Sequence, residues 1–160
     1  MLTATTVVTP ARFEQGLTYA DFLANAKVNR DKFEHNYNNP ALTQEDLLFF
    51  RKASQRPEGP RKLLAIAEAW CGDVYRELPT AVRIAQAAEM ELRIFLRDEN
   101  PDIMDEFLSN EGKSRALPGG RLIPASGCSW RSRFEVPAFH SLPARPGHKG
   151  RRESPDHRRE

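Results

Sequence analysis

The chain has 160 residues, enough for one domain with a real core. Its hydrophobic content of 39% and charged content of 29% suit an ordinary globular protein, and no run nears the ~18 apolar residues of a membrane span. Two cysteines do not make a disulfide framework, and residues 1–6 lack the basic-then-apolar pattern of a secretory signal, so a reducing, cytoplasmic setting is expected.

The net charge of +2 averages two unlike regions. Residues 119–160 carry nine Lys and Arg against four Asp and Glu, while the first 118 carry 15 against 18. Residues 1–16 read as an N-terminal arm. Thr18 and Asp21 resemble a capping box, and Phe22, Leu23, Ala26 and Phe33 form an apolar stripe at helical spacing. A break over residues 36–40 precedes a second cap signal, Thr43 with Asp46, and the run Leu47, Leu48, Phe49, Phe50. Residues 17–55 therefore read as a helical pair, closed by a Pro- and Gly-rich linker up to residue 60.

Beyond the linker the pattern alternates between strand and helix. Residues 62–69 (KLLAIAEA) are short and apolar and predict a buried strand. Residues 73–88 place Val74, Leu78, Val82, Ile84 and Ala85 at helical spacing, and residues 91–97 (ELRIFLR) alternate as a strand does. Asn100-Pro101 opens a helix carrying Ile103, Met104, Phe107 and Leu108, expected to end near Ser109. A polar loop then leads to Ala116-Leu117-Pro118. This order predicts an α/β unit with parallel strand pairing over residues 61–118.

Cys71 falls between a predicted strand and a predicted helix, in Trp70-Cys71-Gly72-Asp73. The free N–H groups and dipole of a helix N-terminus stabilise an anion, which favours a thiolate there. Gly72 frees the turn, whereas the charge of Asp73 opposes a neighbouring thiolate. A lone cysteine beside a strand end is also, and more often, a small buried hydrophobe. Two other chemistries fail on spacing. The nearest arginine, Arg76, lies one residue short of a Cys-x5-Arg oxyanion loop, and Glu77 sits at the required position. His35, His140, His148 and His157 show no metal-ligand spacing, so no metal and no cofactor are expected.

Trp70-Cys71-Gly72, Pro79 eight residues after the cysteine, and Ala116-Leu117-Pro118 together resemble the thioredoxin-like superfamily. More narrowly, AEAWCGDVYRELP, LRIFLRDENPDIMDEFL and NEGKSRALP resemble bacterial thioredoxin-family proteins with a preceding helical segment, over residues 17–118. The resemblance implies an α/β fold: a thioredoxin-like central sheet flanked by helices, with an N-terminal helical extension and an irregular C-terminal tail. It implies thiol–disulfide exchange by Cys71 on a protein or low-molecular-weight thiol or disulfide, with Trp70, Gly72, Asp73, Leu117 and Pro118 shaping the substrate groove. Pro118 would occupy the place of the superfamily's cis-proline. The chain departs from the pattern at two positions. Val74 replaces the second thiol of Cys-x-x-Cys, so the ordinary dithiol cycle is closed to it. Ala65 stands where many relatives carry a buried acid; Glu68 is nearby, but is expected to be an exposed strand-end carboxylate. A monothiol oxidoreductase and a non-catalytic interaction module both fit this pattern.

Residues 119–160 hold five Pro, five Gly, five Ser and eight Arg, a composition that buries too little surface to order itself. The expectation is a low-order basic tail following an incomplete core. Such composition is also what out-of-frame reading of GC-rich DNA yields, so a frame change near Pro118 is hypothesised. A nucleic-acid partner would rest on this tail alone, which lacks a recognisable nucleic-acid motif. Cys128, the other thiol, lies within it.

Overall fold

The computed structural model describes residues 6–107, 117 and 119–124. Among these residues three strands form one sheet in the order β2-β1-β3. The central strand β1 (Pro60–Ala67) runs parallel to β2 (Glu91–Leu96) and antiparallel to β3 (Gly119–Pro124). Its last five residues are all buried, because helices cover both faces of the sheet.

Strand alternation sorts the core into two layers. Leu64 and Ile66 of β1 and Phe95 of β2 pack with Ile103 and Met104 of α6 (Pro101–Asp105) on one face. Ala65 and Ala67 pack with Ile94 on the other, beneath Val74, Leu78 and Val82 of α5 (Gly72–Ala87). The two small alanines leave room for α5 above the middle of the sheet. Helix α5 ends in a Schellman arrangement: Met90 N–H donates to the Ala85 carbonyl at 2.8 Å and Glu89 N–H to that of Gln86 at 3.2 Å. Glu89 adopts the left-handed conformation there, with φ 54°.

The N-terminal region is part of this core. A single turn, α1 (Pro10–Phe13), is capped by Thr9, and Val8 and Phe13 are buried against the α6 face of the sheet. The expected arm over residues 1–16 thus contributes side chains to the core. Gly16 lets the chain pass close to β2: a Cβ there would lie 2.8 Å from both Arg93 Cβ and Phe95 Cε2. Leu17 then exchanges two hydrogen bonds of 2.8 Å with Ile94, which closes part of the outer edge of β2.

The stripe expected to be one helix is two, α2 (Tyr19–Asn25) and α3 (Arg30–Asn38). Ala26 leaves α2 in extended geometry and Asn29 enters α3 in the left-handed region, with φ 59° and ψ 13°. Phe22 and Phe33 nonetheless share one face and meet edge to face at 5.3 Å under α5. Burying each ring stabilises the fold by about 1.5–3 kcal/mol. Thr18 caps α2, and Thr43 with Asp46 forms a complete capping box on α4 (Gln44–Ser54). Phe50 of α4 packs on a third cluster with Leu63, Ile84 and Met90.

Several expected boundaries move, β1 among them: it runs over Pro60–Ala67 where residues 62–69 were expected. Helix α6 ends at Asp105, short of the expected Ser109, as Glu106 and Phe107 turn away. The core also continues past Pro118, because Gly119–Pro124 form β3. The two glycines, expected to open a low-order tail, instead permit a close approach: a Cβ on Gly120 would lie 3.1 Å from the Leu64 carbonyl oxygen. Arg121 fixes β3 to the end of α6 through Glu106 at 3.3 Å. Residues 125–160, including Cys128, lie outside the described residues.

Candidate functional site

The site grows from the end of β1. After Ala67 the chain turns through Glu68, Ala69 and Trp70, and Cys71 N–H closes the turn onto the Glu68 carbonyl at 3.1 Å. Cys71 is the N-cap residue of α5, in extended geometry at φ −80° and ψ 127°. Its carbonyl accepts from Tyr75 N–H at 3.3 Å, which starts the helix. The N–H groups of Gly72, Asp73 and Val74 precede that of Tyr75, the first with an intrahelical acceptor, and so lack helical partners. The Cys71 side chain makes no capping hydrogen bond, is half-buried, and carries a free thiol. It borders the core cluster of Phe22, Phe33, Val74 and Leu78.

The sequence-predicted site residues separate into neighbours and outliers. Trp70 is 52% exposed, and the Arg97 guanidinium lies over its ring at 4.8 Å. Arg97 is held by Asp98 at 2.8 Å. Gly72 faces the Tyr75 hydroxyl, which would lie 3.7 Å from an added Cβ, in ordinary van der Waals contact. Asp73 is exposed and faces Arg76 at 3.7 Å. Leu117 is half-buried against the same core cluster as Cys71, and against the Phe95–Ile103 cluster on the opposite face. Pro118 lies outside the described residues; β3 begins one residue later, opposite Ile66.

Both departures from the dithiol pattern have a structural counterpart. Val74, at the second-thiol position, is fully buried, and Ala65 is buried in the core. Glu68 departs from its expected exposure. It is only 9% exposed, and its carboxylate accepts from Asp98 N–H at 3.0 Å. The β1–α5 turn folds under the β2–α6 turn, and the backbone donor there satisfies the buried charge. His35 is exposed, and among the described residues no three His, Cys, Asp or Glu are grouped to hold a metal ion.

Two contacts were not anticipated. Asn29 donates through Nδ2 to the Ala69 carbonyl at 3.0 Å, and Asn36 donates to that of Tyr75 at 2.7 Å. The second has a cause written in the sequence. The N–H that would normally reach the Tyr75 carbonyl belongs to residue 79, a proline inside α5. Between these contacts Lys32 places its ammonium over the Tyr75 ring at 4.8 Å.

A mixed sheet with the order β2-β1-β3, helices on both faces and a cysteine where β1 hands over to α5 define an α/β protein of thioredoxin-like fold. A family model described as thioredoxin matches residues 16–119, and the chain belongs to that family. The match takes in α2, α3 and α4, so these helices are part of the family unit. No curated protein matches the chain. Among solved structures, a crystal structure of an HIV epitope-scaffold is similar at a TM-score of 0.55 and 18% identity, over 74% of this chain and 72% of that one; this likeness bears on the fold alone. No helix among the described residues is long and apolar enough to cross a membrane.

Proposed function

We propose that the protein is a monothiol thiol–disulfide oxidoreductase with Cys71 as nucleophile, working in the cytoplasm. The observation that carries this reading is the place of Cys71: an uncapped, half-buried thiol at the N-cap of a 16-residue helix, beside N–H groups without helical partners. A thiolate there gains from those donors and from the helix dipole. It attacks one sulfur of a partner disulfide, forming a mixed disulfide, and the other partner sulfur leaves as a thiolate that takes up a proton. A second, external thiolate then attacks the mixed disulfide and releases Cys71. The external thiol is required because Val74 offers no resolving sulfur. Trp70, Gly72 and Asp73 flank the attacking sulfur, and Leu117 and Pro118 would form the opposite wall of the groove for a protein or small-thiol partner.

A second reading, a non-catalytic interaction module, is favoured by the full burial of Val74 and by the alanine at position 65. Alkylation separates the two. In a Cys128→Ser background, the rate of Cys71 alkylation by iodoacetamide is followed from pH 4 to 10. The oxidoreductase reading expects an apparent pKa well below the free value of about 8.5. A value at or above that supports the module and overturns the enzyme.

A further inference from the structure

We propose that α3 is a clamp that positions Cys71, with Asn29 and Asn36 as its two points of contact; the inference rests on Cys71 being the working thiol. Asn29 holds the carbonyl of Ala69, two residues before the cysteine, and Asn36 holds that of Tyr75, four residues after it. Both ends of the stretch that carries the thiol are therefore fixed to one helix. Phe33 and Asn36 lie three residues apart on one face of α3, and Asn29 stands at its N-cap. Phe33, between the two asparagines, is fully buried against the α5 layer and meets Tyr75 edge to face at 6.2 Å.

Each asparagine serves the other segment rather than its own helix. Asn29 occupies the N-cap of α3 yet makes no side-chain cap bond there. It tolerates the left-handed backbone that turns its amide toward Ala69. Asn36 supplies the donor that Pro79 cannot, so the proline remains in α5 without leaving a half-buried carbonyl unpaired. Helix starts fray when nothing holds them, and frayed N–H groups cannot converge on a thiolate. The clamp keeps the first turn of α5 formed, so the N–H groups of residues 72–74 stay beside Cys71, free to turn toward a thiolate. The charged and titratable groups around this corner include Asp31, Lys32 and His35 on α3, Glu68 in the turn, Asp73, Tyr75 and Arg76 on α5, and Arg97 and Asp98 after β2. Neither asparagine adds to them, so its replacement changes position without changing charge.

The test uses the full chain with Cys128→Ser. Asn29→Gly keeps a backbone that suits the left-handed conformation and removes the donor; Asn36→Ala removes the other donor. Each is expected to slow Cys71 alkylation at pH 7 by about threefold or more and to move its pH profile toward that of a free thiol. Amide exchange over residues 69–76 is expected to quicken by about tenfold, with β1 unchanged. Adding Pro79→Ala to Asn36→Ala restores both readouts, since residue 79 then donates to the Tyr75 carbonyl. Faster exchange with an unaltered alkylation profile would overturn the positioning role, as would no change in either readout. An ordinary thiol profile in the parent protein would instead overturn the thiol reading itself, and with it the purpose of the clamp.

Discussion

The buried carboxylate of Glu68 accepts a hydrogen bond from the backbone N–H of Asp98 at 3.0 Å, tying the turn before Cys71 to the turn after β2. The tie extends outward, because Asp98 holds Arg97 and Arg97 covers Trp70. Glu68→Ala leaves the Asp98 N–H without its acceptor and is expected to destabilise the fold by about 1–3 kcal/mol. Glu68→Gln keeps an acceptor oxygen and should cost less. Urea denaturation of both variants checks the order; equal stability of all three proteins would show that the bond carries no weight.

The Tyr19 hydroxyl is buried without a hydrogen-bond partner among the described residues, and its ring stacks on Tyr37 at 5.6 Å. Burial pushes the phenol pKa up, with the neighbouring Tyr37 and Glu34 adding to the effect. Removing an unpaired buried hydroxyl while keeping the ring relieves a desolvation cost. Tyr19→Phe is therefore expected to be neutral or stabilising, by up to about 1 kcal/mol. A marked fall in melting temperature would contradict it.

A charge cluster fastens the N-terminal segment to the sheet edge. Lys62 reaches Glu14 at 2.8 Å and Glu91 at 3.4 Å, and Arg93 reaches the same two carboxylates at 3.3 and 2.8 Å. The hydrogen bond from Arg93 leads in holding the Glu91 carboxyl below its ordinary value of 4.5, against an opposing push from burial. The hydrogen bond to Glu14 leads in raising Lys62 above 10.5. For Glu91 the stabilisation is present above 4.5 and is lost as pH falls through the lowered folded value. For Lys62 it is complete below 10.5 and is lost as pH rises through the raised folded value. Lys62→Met should cost about 0.5–1 kcal/mol at pH 7 and less in high salt. Its penalty should shrink toward both pH extremes; a penalty independent of pH and salt would point to packing over Phe13 instead, where the ammonium lies 4.7 Å from the ring.

The strands and α5 were legible because their periodicities are strong: β1 and β2 overlap KLLAIAEA and ELRIFLR, β1 lying two residues earlier than expected and β2 ending one residue sooner, and Cys71 falls at the junction. What was missed depends on tertiary contact. Nothing local in Ala26–Asn29 announces a break, since the left-handed turn is held by a carbonyl 40 residues away. Gly119-Gly120 was expected to open a low-order tail but has the geometry of a strand pressed against a neighbour's backbone. Glu68 was expected outside because glutamate rarely lies fully buried, and only the fold brings the Asp98 donor to it. One signal was available and unused: a proline four residues after Tyr75 leaves a carbonyl in search of a donor.

The buried Val74 offers the most direct way to ask what the site lacks. It follows Cys71 by three residues on the first turn of α5, where a dithiol relative carries its resolving sulfur. Val74→Cys keeps a small apolar side chain and should cost about 0.5–1.5 kcal/mol in stability, the range for loss of a buried methyl group. If Cys71 is a poised nucleophile, the new thiol attacks its mixed disulfide internally and the external thiol becomes unnecessary for that step. Reduction of insulin by dithiothreitol should then be accelerated by Val74→Cys well beyond the parent protein, and the gain should vanish when Cys71→Ser is added. The parent itself should form a mixed disulfide that persists until a small thiol is supplied, detectable by mass. A folded Val74→Cys variant that closes the 71–74 disulfide yet reduces nothing would mean that the groove does not admit a partner disulfide, and would leave the fold as a binding surface.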